Sequence, residues 1–71
     1  MVDERTVEKY IEQFTQKGYT LEQLLDIAES NFHLYEKLGD KIYEAKRLAA
    51  EKIIIDLFRK LLLGGVKNEQ G

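Results

Sequence analysis

Two stop-and-start signals set what this chain can fold into. Lys17-Gly18 is followed by Thr20, and Leu38-Gly39 is followed at once by Asp40. Glycine readily adopts the left-handed conformation that ends a helix, and Thr and Asp are good N-cap residues for the next one. The second start carries more. Thr20 and Gln23 have the spacing of a capping box, with Tyr19 and Leu24 placed as its hydrophobic staple. Asp3, followed by Glu4, supplies the first start. No proline interrupts the segments between. The spacing therefore predicts an all-α, three-helix domain with helices at about 4–17, 21–38 and 40–63, the last one longest. One continuous helix through Gly39, at a cost of about 1 kcal/mol relative to alanine, is the alternative at the second break. The domain is expected to end at 65, after Gly64-Gly65, leaving 66–71 as a flexible C-terminal tail.

Each segment has an apolar stripe at helical spacing. In the first it is Val7, Tyr10, Ile11 and Phe14. In the second, Leu21, Leu24, Leu25, Ala28, Phe32 and Tyr35 form a face that Ile27, Leu34 and Leu38 widen to roughly 180°. The third segment changes sides. Ile42, Ala45, Leu48 and Ala49 lie together in its first half. After Lys52, Ile53, Ile54, Ile55, Leu57, Phe58, Leu61 and Leu62 spread over roughly 200°, with Asp56, Arg59 and Lys60 as the polar strip. The two halves must meet different neighbours, or the helix must kink. The expected arrangement packs the first helix and the early part of the third on the second.

Size makes the surplus apolar surface informative. A chain of 71 residues is near the lower limit at which one core suffices, and it has no cysteine for disulfides or thiolate metal sites. Ile54, Ile55, Phe58, Leu61 and Leu62 are therefore the expected self-association interface, with a homodimer favoured. The expected function is a small non-enzymatic protein–protein interaction module: an adaptor, a regulator or a structural subunit. A groove for another protein's helix is the related reading.

The second helix supplies the candidate partner surface. Glu22, Asp26, Glu29, His33 and Glu36 lie on one flank, with no arginine or lysine between Thr20 and Glu36. Such a flank should prefer a basic partner patch. His33 with Glu29 and Glu36 has turn spacing suited to a metal, but bundle metal sites need matching ligands on facing helices. No metal or cofactor is expected.

Other classes fit less well. A net charge of −2, from 11 basic and 13 acidic residues, lacks the basic excess of a nucleic-acid binder. The Phe14–Glu22 corner has the outline of a helix-turn-helix, yet its second helix would aim carboxylates at phosphates. The alternative function, a dimeric nucleic-acid-associated regulator, would have to use Lys41, Lys46, Arg47, Arg59 and Lys60. The apolar run is too short to span a bilayer, and its polar strip holds few cations for a membrane surface. No nucleophile pairs with an oriented histidine, and Gly64-Gly65 lacks the Lys-Ser/Thr of a phosphate loop. Met1–Arg5 lacks the basic-then-apolar pattern of a signal peptide, so the cytoplasm is the expected location.

Overall fold

The computed structural model describes the backbone of residues 2–70 and the side chains of residues 2–64. It contains α1 (Glu4–Lys17), α2 (Leu21–Leu38) and α3 (Lys41–Gln70). Every expected boundary signal before α3 is used. The Asp3 carboxylate accepts from the Arg5 N–H at 3.0 Å. Thr20 Oγ1 accepts from the Gln23 N–H at 3.2 Å while Gln23 Oε1 accepts from the Thr20 N–H at 2.9 Å, completing the capping box. Gly18 and Gly39 have φ of 64° and 71°, and the Gly39 N–H donates to the Tyr35 carbonyl at 2.8 Å. The break at Gly39 is thus real, and Asp40 Oδ1 caps the next helix through the Ile42 N–H at 3.0 Å.

The end of α3 differs from expectation. The helix continues through Gly64 to Gln70 rather than stopping at Gly64-Gly65. Glycine costs a helix only about 1 kcal/mol relative to alanine, and Gly64 does not take the left-handed conformation of the two true stops. The tail expected over 66–71 falls outside the described side chains.

The central helix is also not the expected one. Both α1 and α2 pack on α3, and their backbones do not approach each other, Phe14 being the α1 side chain that reaches the Leu24 cluster. Val2 and Val7 of α1 and its lead-in meet Ala45 and Ala49, while the C-terminal end of α1 shares a cleft with Ile53 and Leu57. So α1 runs parallel to α3. The α2 helix runs the opposite way, with Leu24 against Ile54 and Phe32 against Arg47. Alanine explains why α3 is the hub. Ala45, Ala49 and Ala50 are essentially fully buried and let two other helices approach its axis on different sides. Contact with α1 falls on Ala45 and Ala49, and contact with α2 falls on Ala50 and Ile54.

The changed face in α3 is not matched by the expected change of neighbour. Both neighbours belong to the same chain and lie along both halves: α1 at Ala45 and Ala49 and then at Ile53 and Leu57, α2 at Arg47 and Ala50 and then at Ile54. Two small clusters result, one around Val7 and one around Leu24, and Phe14 packs against both. Phe14 also holds the corner, with its ring centroid 5.9 Å from Tyr10 and 5.8 Å from Tyr19. Full burial of an aliphatic side chain such as Leu24 contributes about 1.5–3 kcal/mol.

Candidate functional site

The lengths of α2 and α3 create the exposed surface. The 30 residues of α3 extend over about 45 Å and the 18 of α2 over about 27 Å at 1.5 Å per residue. Because Leu21 at the start of α2 and Leu57 pack against the same cluster, and the end of α1 reaches no further than Lys60, α3 runs on past both of its neighbours. The longest dimension of the molecule, 49 Å, is close to the length of α3.

Of the five residues expected at an interface, four are uncovered. Ile55, Phe58, Leu61 and Leu62 are between 50% and 71% exposed, and Leu63 beside them is also exposed. Ile54 is different. It is only 9% exposed and belongs to the core, packed with Leu24 and Ala50. At 100° per residue Ile54 and Ile55 diverge enough for one to meet α2 and the other solvent.

The uncovered surface does not stop at α3. Leu25 and Phe32, read from sequence as core-facing, are half exposed on α2. They share a groove with Ala28 and Glu29 of α2 and with Arg47 and Glu51 of α3. The sequence signal was present in the 180° apolar arc, which demanded more neighbours than the one α2 has. Leu34 and Leu38, on the other side of that arc, are exposed as well.

The two polar residues that α3 contributes to this groove are paired. Arg47 Nη1 donates to both carboxylate oxygens of Glu51, at 3.0 and 3.1 Å, and its guanidinium lies 5.7 Å from the Phe32 ring centroid. The Arg47 Nε–H is buried without a partner. Tyr35 sits at the same α2–α3 contact near Glu44. That carboxylate accepts a hydrogen bond from the phenol and repels the phenolate, so the Tyr35 pKa is raised above its ordinary 10.0.

On the acidic flank of α2, Glu22, Asp26, Glu29, His33 and Glu36 are all exposed. His33 Nδ1 and Glu36 Oε1 are 3.7 Å apart with both side chains mostly in solvent, which makes the pair weak. Among the described residues no three His, Asp or Glu side chains converge as a metal site. No helix there is long and apolar enough to cross a membrane.

Lys41, Lys46, Arg47, Arg59 and Lys60, the residues a nucleic-acid reading needs, do not form one patch. Lys46 lies over the Tyr10 ring, 5.5 Å from its centroid, and Arg47 faces Phe32 and Glu51. Lys41, Arg59 and Lys60 are exposed, with Lys41 at one end of α3 and the other two beyond its middle. Comparison of the chain with protein-family models, with curated proteins and with solved structures finds no match.

Proposed function

We propose that this protein is a cytoplasmic protein–protein interaction module, without chemistry of its own, that self-associates through the uncovered side of α3. One observation carries the reading: Ile55, Phe58, Leu61 and Leu62 stand in solvent after the chain's own helices have packed. Contiguous apolar surface of this kind marks association sites in water-soluble proteins. At roughly 25 cal/mol per Å², covering it on assembly would add support that a core of two small clusters lacks.

Absolute molar mass in solution tests this, measured by light scattering behind a sizing column for the parent and for Phe58→Glu. The parent is expected at twice 8.3 kDa or more, and the variant at 8.3 kDa with its helical content kept. A parent that stays monomeric up to high micromolar concentration would refute the reading.

A further inference from the structure

The self-association reading leaves open which surface of a second copy covers α3, and charge supplies the answer. On α2 the exposed Leu25 and Phe32 are bordered on their outer side by Glu22 and Glu29, two helical turns apart. On α3 the exposed Ile55, Phe58 and Leu62 are bordered, on the side away from α2, by Lys52 and Arg59, also two turns apart. Both stripes open on the same side of the molecule, where Leu25 and Phe32 share their groove with Arg47 and Glu51.

We infer that two copies pack face to face about a two-fold axis parallel to their helices, with α3 of each lying antiparallel on α2 of the other. This inference rests on the self-association reading and specifies its geometry. An axis in that direction leaves every residue at its own height. The partner's α3 therefore meets α2 at the heights that Leu24–Ile54 and Phe32–Arg47 fix within one chain. Arg59 then comes within about two to three residues, or about 3–4.5 Å, of the height of Glu22 on the other copy. Lys52 stands in the same relation to Glu29. Rotation by 180° also brings the basic flank of one copy to the acidic flank of the other, so both contacts form on each side of the dimer.

The competing arrangement turns the copies about an axis perpendicular to the helices. It would set α3 on α3 with Lys52 facing the second copy's Arg59, and α2 on α2 with Glu22 facing Glu29. Like charges at such spacing are destabilising, so the parallel axis is selected. The one ion pair within the face, Arg47–Glu51, already neutralises itself. Area is consistent with a stable dimer. Leu25, Phe32, Ile55, Phe58, Leu61 and Leu62 offer on the order of 600 Å² of exposed surface per copy, at roughly 200 Å² per fully exposed side chain. The aliphatic stems of Lys52 and Arg59 add to this, and a standard interface takes about 800 Å² per partner.

Charge reversal on the full chain tests the geometry. One variant carries Glu22→Lys and Glu29→Lys; the other carries Lys52→Glu and Arg59→Glu. All four positions are exposed, so each variant should keep its helical circular dichroism. Each alone is expected to halve in mass, to 8.3 kDa, at a concentration where the parent is a dimer. An equal mixture of the two is expected to recover the dimer mass, because each then offers the other complementary charge on both contacts. A chain with all four substitutions should dimerise with itself. If the α2 variant remains a dimer while Phe58→Glu is a monomer, α2 is not the receiving surface and this inference fails while self-association stands. Monomeric variants that do not recover on mixing would also overturn it. A monomeric parent overturns both readings.

Discussion

Leu24 and Leu25 are chemically identical neighbours, and the structure gives them very different energetics. Leu24 is 1% exposed, the largest fully buried side chain, while Leu25 is 51% exposed. Truncating Leu24 to alanine removes roughly three buried carbons, worth about 2.4 kcal/mol at about 0.8 kcal/mol each. A residual cavity between α2 and α3 raises the cost to about 3 kcal/mol. That is a large share of the roughly 4–10 kcal/mol expected for a chain of this size. Leu25→Ala should cost about 1 kcal/mol in the monomer, since only half its surface is buried there.

Urea unfolding followed by circular dichroism, at low and high protein concentration, separates the two sites. The Leu24→Ala loss should change little with concentration. The Leu25→Ala loss should grow as the parent assembles, because its remaining surface becomes covered. Equal losses for the two variants in dilute solution would refute the assignment of α2 faces on which the interaction surface depends.

Further outcomes concern two glycines and one tyrosine. Gly39→Ala should destabilise by about 1 kcal/mol, because φ of 71° is strained for any residue with a Cβ even though nothing lies within 4 Å of one. Gly64→Ala should stabilise by up to about 1 kcal/mol, because Gly64 is helical and equally unobstructed; thermal melts of both variants check the opposite signs. Glu44→Gln should bring the raised Tyr35 pKa back toward 10.0, as seen by ultraviolet titration of the tyrosines. The sign for stability follows. A folded-state pKa above the unfolded 10.0 favours folding below pH 10, and that contribution disappears as pH rises through the folded value.

Local chemistry made the helix boundaries legible. Asp3, Thr20 with Gln23, Gly18 and Gly39 each act within a few residues of their own position, so no tertiary contact could displace them. The choice of α3 as hub was not legible in the same way. Large side chains dominate a hydrophobic pattern, and α2 keeps one wide apolar face along its whole length, but close packing favours small ones. Ala45, Ala49 and Ala50 add little to the pattern and bring two helices together. The same blindness misplaced Ile54, Leu25 and Phe32. A wide apolar arc says that several directions are apolar, but not which of them a neighbour takes. Much of the uncovered α3 stripe was legible, because a 71-residue chain has too little other surface to hide it.

The lack of close backbone approach between α1 and α2 has a mechanical consequence. The molecule has a seam. The α2–α3 hairpin, joined by Gly39 and Asp40, keeps its Leu24–Ala50–Ile54 cluster whether or not α1 is docked, apart from the edge that Phe14 covers. Lifting α1 exposes Val7 and the Ala45–Ala49 strip, yet on the α2 side it removes only the cover that Phe14 gives the Leu24 cluster. Such a chain can open by swinging α1 about the Gly18 corner at less than the cost of complete unfolding. The opening uncovers the side of α3 facing away from the groove at Leu25 and Phe32, so a protein bound in that groove need not close it.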